Sequence, residues 1–448
     1  MIPWLPLLAQ VSPEVFPEPV PRFRTQEVRP LPGGLDTVPV FNSNSPELVL
    51  QEGILLSTFG PAGRRHPEAH LNYTFQGRFD LFAHHIADGQ VPLYLGILVG
   101  NPGSRPAVVS IRQGASFLTQ PDAPFVTLPP VVGNPLGAVF SGPGSRAMDA
   151  VLRGRRPADW PQRVEVAPGE TQLLFLWPIP VGRDRPSRNG RSALVRLWSS
   201  QPVQMASLAL HAVQDEQGQW QPPPLAAWQA LLDGGQLAGP RDRVPTPPNQ
   251  ATQTLIYGRV AGVGIGSRWQ ALVTDRGRPT LSLPDPGRPL SYGLSLLQGN
   301  TQGTGQIQTA PLIRRYADTA YAAHGNYAIE YALTLPLLNA SPQPRAVTLS
   351  LDSPLKQDTS QGGLTFLEPP PRQVFFRGTV RLRYRDDAGL PQTRYQHLVL
   401  RRGQSGDPLL TLTLPPGGRR LVQVDLLYPP DATPPQVLTL RSEDVGQE

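Results

Sequence analysis

Imidazoles and carboxylates gather in two places along this chain. His84 and His85 are adjacent in FDLFAHHIADG, flanked by Asp80 and Asp88, while His70 and His324 take the second position of two near-identical strings, AHLNY at 69–73 and AHGNY at 323–327. Imidazole nitrogens joined by a carboxylate are zinc-type ligands, so His70, His84 and His324, completed by Asp80, Asp88 or Asp318, form the metal set worth weighing. Successive strand residues point to opposite faces, so His84 and His85 cannot both hold one ion in a continuous strand. The simpler reading is that these imidazoles close hydrogen bonds at strand ends, with His70 and His324 as equivalent scaffold residues, each followed by a core-anchoring Tyr. No metal or cofactor is expected.

Carboxylates offer a second chemistry. A glycosidase pair comes from distant strands and leaves no local signature, and Asp318 and Glu330 flank AHGNY while Asp80 precedes FAHHIA. Solvated strand and loop positions are the simpler reading of these three residues. Gly262, Gly264 and Gly266 in GRVAGVGIGSRW invite a dinucleotide reading, but Ser267 stands where the fingerprint needs glycine, and RWQALVTD alternates as a strand where a helix should follow. There is no GxSxG elbow and no Cys, which removes serine-hydrolase and thiolate chemistry together. The best ligand candidate is the polar loop QGNTQGTGQIQT. Its Gln302, Thr304 and Gln306, with Trp269, Tyr316 and Tyr321 nearby, could bond sugar hydroxyls and offer them apolar faces.

The elements that must position these groups are short strands. With 55 Pro and 43 Gly in 448 residues, the backbone turns too often for long helices. Two helices are predicted, SRAMDAVLRG with Ser145 as cap and Gly154 as terminator, and PLAAWQALLDGG ending at Gly234-Gly235. Behind AHLNY, Tyr73, Phe75, Phe79 and Leu81 share one parity, which predicts a half-buried strand; behind AHGNY, Tyr327, Ile329, Tyr331, Leu333 and Leu335 do the same. Asn101 and Asn339 each precede a proline by five positions, and Pro168-Gly169 and Pro416-Gly417 each sit between two apolar runs. These matches, at offsets of 254 (327 − 73), 238 (339 − 101) and 248 (416 − 168), predict an internal duplication with loop changes.

The expected fold is therefore all-β: two β-sandwich-like domains at 36–215 and 251–440, with a Pro-rich lead at 11–35, a Pro-rich linker with a short helix at 216–250, and a tail at 441–448. One continuous sandwich with interleaved halves is the competing arrangement. MIPWLPLLAQ reads as a signal-peptide remnant at 1–10 that lacks its basic region. No later stretch approaches the ~20 apolar residues of a membrane helix. The net charge is +6, yet Lys356 is the one lysine among 40 basic residues, and no basic cluster is interleaved with aromatics, so nucleic acid is not an expected partner.

PGGLDTVPVFNSNSPELVLQEGILLSTF, FDLFAHHIADG, GRVAGVGIGSRW, QTAPLIRRYADTAYAAHGNY and NGRSALVRLWSSQPVQMASLA together resemble a cyanobacterial family known as a domain of unknown function. The resemblance runs from about Val28 to the C-terminal region. It implies a secreted, β-rich envelope protein and carries over no catalytic residues. The expected function is that of a non-catalytic periplasmic, outer-surface or secreted protein binding an envelope protein or surface polysaccharide. The alternative is a carbohydrate-active enzyme, a glycoside hydrolase or lyase, using distant carboxylates.

Overall fold

The computed structural model describes residues 17–248, 250 and 254–445. The predicted signal-peptide remnant lies outside them. Among the described residues there are 29 strands and two α-helices, so the all-β class holds. Three sheets carry the architecture, of twelve, eight and five strands.

Two cores form where alternating strands turn their apolar faces together. The first gathers Phe41, Phe75, Phe79, Leu95, Ile97, Trp177 and Val195. The second gathers Trp269, Tyr292, Tyr331, Leu382, Val424 and Leu438. The predicted boundaries at 36 and 251 do not separate the sheets around these cores. Strand Ala261–Ile265 joins the twelve-stranded sheet by pairing antiparallel with Pro39–Ser43, and Ala310–Arg315 follows beside it. In exchange, the N-terminal lead is woven into the second half: Val20–Thr25 pairs Gly363–Glu368, Glu27–Arg29 pairs Leu290–Leu294, and Gly34–Leu35 pairs Arg268–Leu272. The arrangement is the interleaved one.

Each half contains the same hairpin corner. The Asn101 amide accepts Gly103 N–H on Oδ1 at 2.9 Å and donates Nδ2 to Arg105 O at 2.8 Å and Val166 O at 2.9 Å. Asn339 accepts Ser341 N–H at 3.0 Å and donates to Gln343 O at 2.8 Å and Leu414 O at 2.9 Å. The main chain repeats too: Asn101 N–H bonds Glu170 O and Gly169 N–H bonds Asn101 O, as Asn339 N–H bonds Gly418 O and Gly417 N–H bonds Asn339 O. Ala107 faces Val166 as Arg345 faces Leu414, and Gly100 faces Thr171 as Leu338 faces Arg419. By this register the counterpart of Glu330–Leu338 is Leu93–Gly100, not the Phe75–Asp88 strand that follows AHLNY. From the tyrosine of each histidine string to the asparagine of each corner the first half is 16 residues longer (254 − 238), and the long Phe75–Asp88 strand lies in that interval.

The halves also clamp one helix between them. Helix α1, Pro143–Leu152, packs Ala147, Met148 and Val151 with Phe82 and Leu194 of the first half and Leu427 of the second. Ser145 is not its cap: it lies inside the first turn, where its hydroxyl bonds Ser141 O and Gly142 O, and its N–H is taken by Asp431 Oδ2 of the second half at 2.8 Å. Arg381 Nη1 donates to Leu152 O at the other end, so second-half charges complement both ends of the helix dipole. Gly154, at φ +75°, ends the helix as predicted. The Phe75–Asp88 strand is half-buried as expected at its start, where Gln76 and Arg78 are exposed, but where the second half covers it both faces are buried, with Asp80 6% exposed. Helix α2, Leu225–Gly234, stops at Gly234-Gly235 and buries Trp228 and Leu232. No described helix is long and apolar enough to cross a membrane; that says nothing of a β-barrel.

Candidate functional site

The predicted ligand loop spends its polar groups inside the protein. Gln306 accepts Leu31 N–H at 2.9 Å and donates to Leu31 O at 2.8 Å, stapling the N-terminal lead in place. Thr304 Oγ1 donates to Thr301 O, and Gln302 Nε2 to Leu355 O. Trp269 is 7% exposed and donates Nε1 to Pro32 O at 2.9 Å. Tyr316, also buried, donates to Ala69 O and accepts Ser57 N–H, and Tyr321 lies beneath the Arg315 guanidinium at 3.6 Å. Gln306, bonded to backbone at both ends of its amide, acts as a structural pin, while Gln302 keeps its Oε1 buried and without a partner.

The histidines do not converge either. Among the described residues no group of three His, Cys, Asp or Glu is placed to hold a metal ion. His70 is buried, with its Nδ1 2.8 Å from Ser57 Oγ and its Nε2 without a partner but lining neither cavity of the cleft between the halves, and His84 Nδ1 is 2.7 Å from Ser192 Oγ. The carboxylates of the enzymatic reading are likewise committed. Asp318 takes two bonds from Arg241, at 2.7 and 2.8 Å. Glu330 is buried on Arg196 at 2.6 Å, and the same arginine approaches Asp80 at 3.9 Å, so the pair bridges the halves. Burial pushes the Asp80 carboxyl up to about 7.

His324 is different, because it opens into a cavity between the halves. Asn326, at φ +49°, turns the chain; its Nδ2 donates to Gln308 O and Tyr331 Oη, and its Oδ1 accepts Ala310 N–H. This rigid turn sets His324 against the Tyr257 ring, with centroids 4.9 Å apart. Tyr257 is fixed in turn by donating to Gln298 O at 2.6 Å. The cavity, of about 350 Å³, is lined also by Asn42, Asn44, Glu47 and Lys356. Asn42 Oδ1, Asn44 Oδ1 and His324 Nδ1 are shielded from solvent and have no hydrogen-bond partner. Buried polar atoms are nearly always paired, so three unpaired ones around one small cavity single it out. Burial holds the His324 imidazole down at about 4, which leaves it neutral at pH 7 with a free acceptor or donor.

A second cavity, of about 460 Å³, shares Asn44, Glu47 and Tyr327 with the first and continues past His84 to Asp431. Glu47 stands at the junction. His84, at 3.7 Å, and Arg259, which donates Nε at 2.7 Å, hold its carboxyl down at about 2. Asp431 is half-buried, and desolvation raises its carboxyl although α1 donates to it. The cleft thus has apolar ring faces, unpaired amide groups, one lysine and a neutralised carboxylate. That inventory suits recognition of a hydroxyl-rich ligand. Sequence reading passed over it because the first cavity alone draws on six separate segments, around 42–47, 257–260, 297, 323–327, 356 and 434. Two signals pointed there: the polar run NSNSPE within an apolar stretch, and the single lysine.

A sequence profile described as "Protein of unknown function (DUF3370)" matches residues 26–442. No curated protein matches the chain. Among solved structures, PNGF-II aligns at 11% identity with a TM-score of 0.12, over 92% of this chain and just under two thirds, 66%, of that one. A Bacillus subtilis oxalate decarboxylase variant aligns at 9% identity with a TM-score of 0.11, over 80% and 71% of the two chains. Procruciferin, an 11S globulin from Brassica napus, aligns at 11% identity with a TM-score of 0.10, over 89% and 87%. Scores this low inform neither fold nor function.

Proposed function

The chain belongs to the DUF3370 family of proteins of unknown function, and from that premise we propose that it is a non-catalytic binding protein whose inter-half cleft takes a segment of a surface glycan. One observation carries the reading: Asn42 Oδ1, Asn44 Oδ1 and His324 Nδ1 are unpaired around a single cavity whose wall includes the Tyr257 ring. Glycan hydroxyls supply donors and acceptors for such atoms, and sugar C–H faces pack on tyrosine. The apolar start MIPWLPLLAQ supports placement in the periplasm or at the cell surface, where such a ligand is met. The enzymatic alternative draws less support, because Asp318, Glu330 and Asp80 pair with arginines and do not line the cleft.

Calorimetric titration of the intact protein with neutral envelope oligosaccharides tests the reading. Binding without product formation is expected, and Tyr257→Ala should weaken it roughly tenfold, as loss of an aromatic contact does. Absence of binding by every oligosaccharide tried sinks the proposal, and bond cleavage abolished by Glu47→Gln replaces it with catalysis.

A further inference from the structure

The cleft does not end at its second cavity. A third, of about 700 Å³, shares Phe125, Val374 and Arg377 with the second and is lined also by Arg372 and Arg401. No carboxylate lines it. The Arg377 guanidinium lies over the Phe125 ring at 5.0 Å, and its Nε is shielded from solvent without a hydrogen-bond partner. Neither Arg377 nor Arg401 forms an ion pair with a described acidic residue, although arginines elsewhere do so repeatedly, as at Arg196, Arg241 and Arg381. Phe125, 52% exposed, leaves an apolar ring beside these charges.

The opposite end has the same character. Lys356 lines the first cavity, forms no ion pair with a described residue, and has Arg402 as its charged neighbour. Between the ends, Arg259 and His84 offset Glu47, while Asp431 is tied to the α1 N-terminus. Arg377 is half-buried with Asp431 as its charged neighbour, whereas Arg401 and Lys356 are exposed and form no ion pair with a described residue; cations gathered along one cleft in this way raise the local concentration of an anionic ligand. Guanidinium forks match carboxylate and sulfate geometry, and a nearby ring face suits a sugar.

We propose that the ligand is an acidic polysaccharide that runs along all three cavities, with carboxylate or sulfate groups on Arg377 and Arg401 at one end and on Lys356 at the other. This extends the glycan reading above and rests on it for the first cavity. The test titrates the full chain with alginate oligosaccharides for carboxylate, heparin oligosaccharides for sulfate, polyphosphate, and maltooligosaccharides as the neutral probe. One of the two acidic glycans should bind more tightly than the neutral one, with affinity falling as salt rises. The double variant Arg377→Gln/Arg401→Gln should lose roughly tenfold or more of acidic-glycan affinity, as truncated charge contacts do, while keeping neutral binding and its melting temperature. Lys356→Gln should weaken acidic binding independently. Acidic-glycan affinity unchanged in the arginine pair, or lost in step with neutral binding, overturns the assignment, and so does polyphosphate binding more tightly than both glycans. Neutral binding with indifferent arginines leaves the glycan reading standing alone, whereas acidic binding through the arginines that survives Tyr257→Ala removes the first cavity and keeps the anion site.

Discussion

The Asn101 and Asn339 corners share little more than an asparagine and a proline five positions on, yet each asparagine side chain makes the same three hydrogen bonds. AHLNY and AHGNY share four letters of five, yet His70 closes on Ser57 while His324 opens into the cleft. The difference lies in what completes each motif. The corner is completed by carbonyls a few residues away and by the adjoining Pro-Gly hairpin, so the chain carries its own partners. The histidine strings agree only where their own backbone decides: Asn72 and Asn326 both sit at φ +49°, whereas each imidazole's surroundings come from elsewhere.

The largest effects should come from the corners. Asn101→Ala and Asn339→Ala each remove the same three bonds to local main chain, at about 1 kcal/mol apiece, and Asn339 loses a fourth from the Ser341 hydroxyl, so urea denaturation should show losses of about 3 kcal/mol at both corners, with the Asn339 loss equal or somewhat larger. A corner that tolerates the change while the other does not would break the equivalence. Smaller and unequal effects are expected at the histidines. His70→Gln should cost about 1 kcal/mol through Ser57, whereas His324→Gln should leave the melting temperature unchanged and weaken glycan binding. Equal destabilisation with binding intact would return His324 to the scaffold.

The finest separation is by pH. Burial holds the imidazoles of His70 and His324 at about 4, below the unfolded value near 6.5, so the unfolded chain takes up protons first as the medium acidifies. Their stabilising contribution is therefore complete above pH 6.5 and is lost as pH falls towards 4. Asp80, raised to about 7, works in the opposite direction, so the decline is to be read as a difference between parent and variant. Denaturation midpoints of His70→Gln and His324→Gln followed from pH 7 to about pH 4 should each fall less than those of the parent. A parallel fall in either variant would show that its imidazole already titrates freely.

The same division between local and distant partners explains what was legible beforehand. Strand alternation, both helices, the Gly154 stop and the Pro-Gly hairpins are written in adjacent residues. The exchange of strands is not, because Ala261–Ile265 looks alike whether it pairs within its own half or with Pro39–Ser43. Composition also misled at Gln302, Thr304 and Gln306, since an amide or hydroxyl reads identically whether it bonds a sugar or a neighbouring carbonyl. Lys356 is marked in the sequence as the single lysine, whereas Arg377, one arginine among many, stands out only once its neighbours are placed.

The woven N-terminal lead bears on how the molecule is made. Translation delivers Val20–Thr25 more than three hundred residues ahead of its partner Gly363–Glu368, and Gly34–Leu35 waits for Arg268–Leu272. Loop closure over such separations is slow and comes after local hairpins have formed. The first half cannot complete its twelve-stranded sheet until Ala261–Ile265 and Ala310–Arg315 have been made, and the second half waits for nearly the whole chain. The nascent chain therefore carries open sheet edges for most of its synthesis, a condition in which strands of neighbouring chains can pair wrongly and in which a holding chaperone has the most to protect.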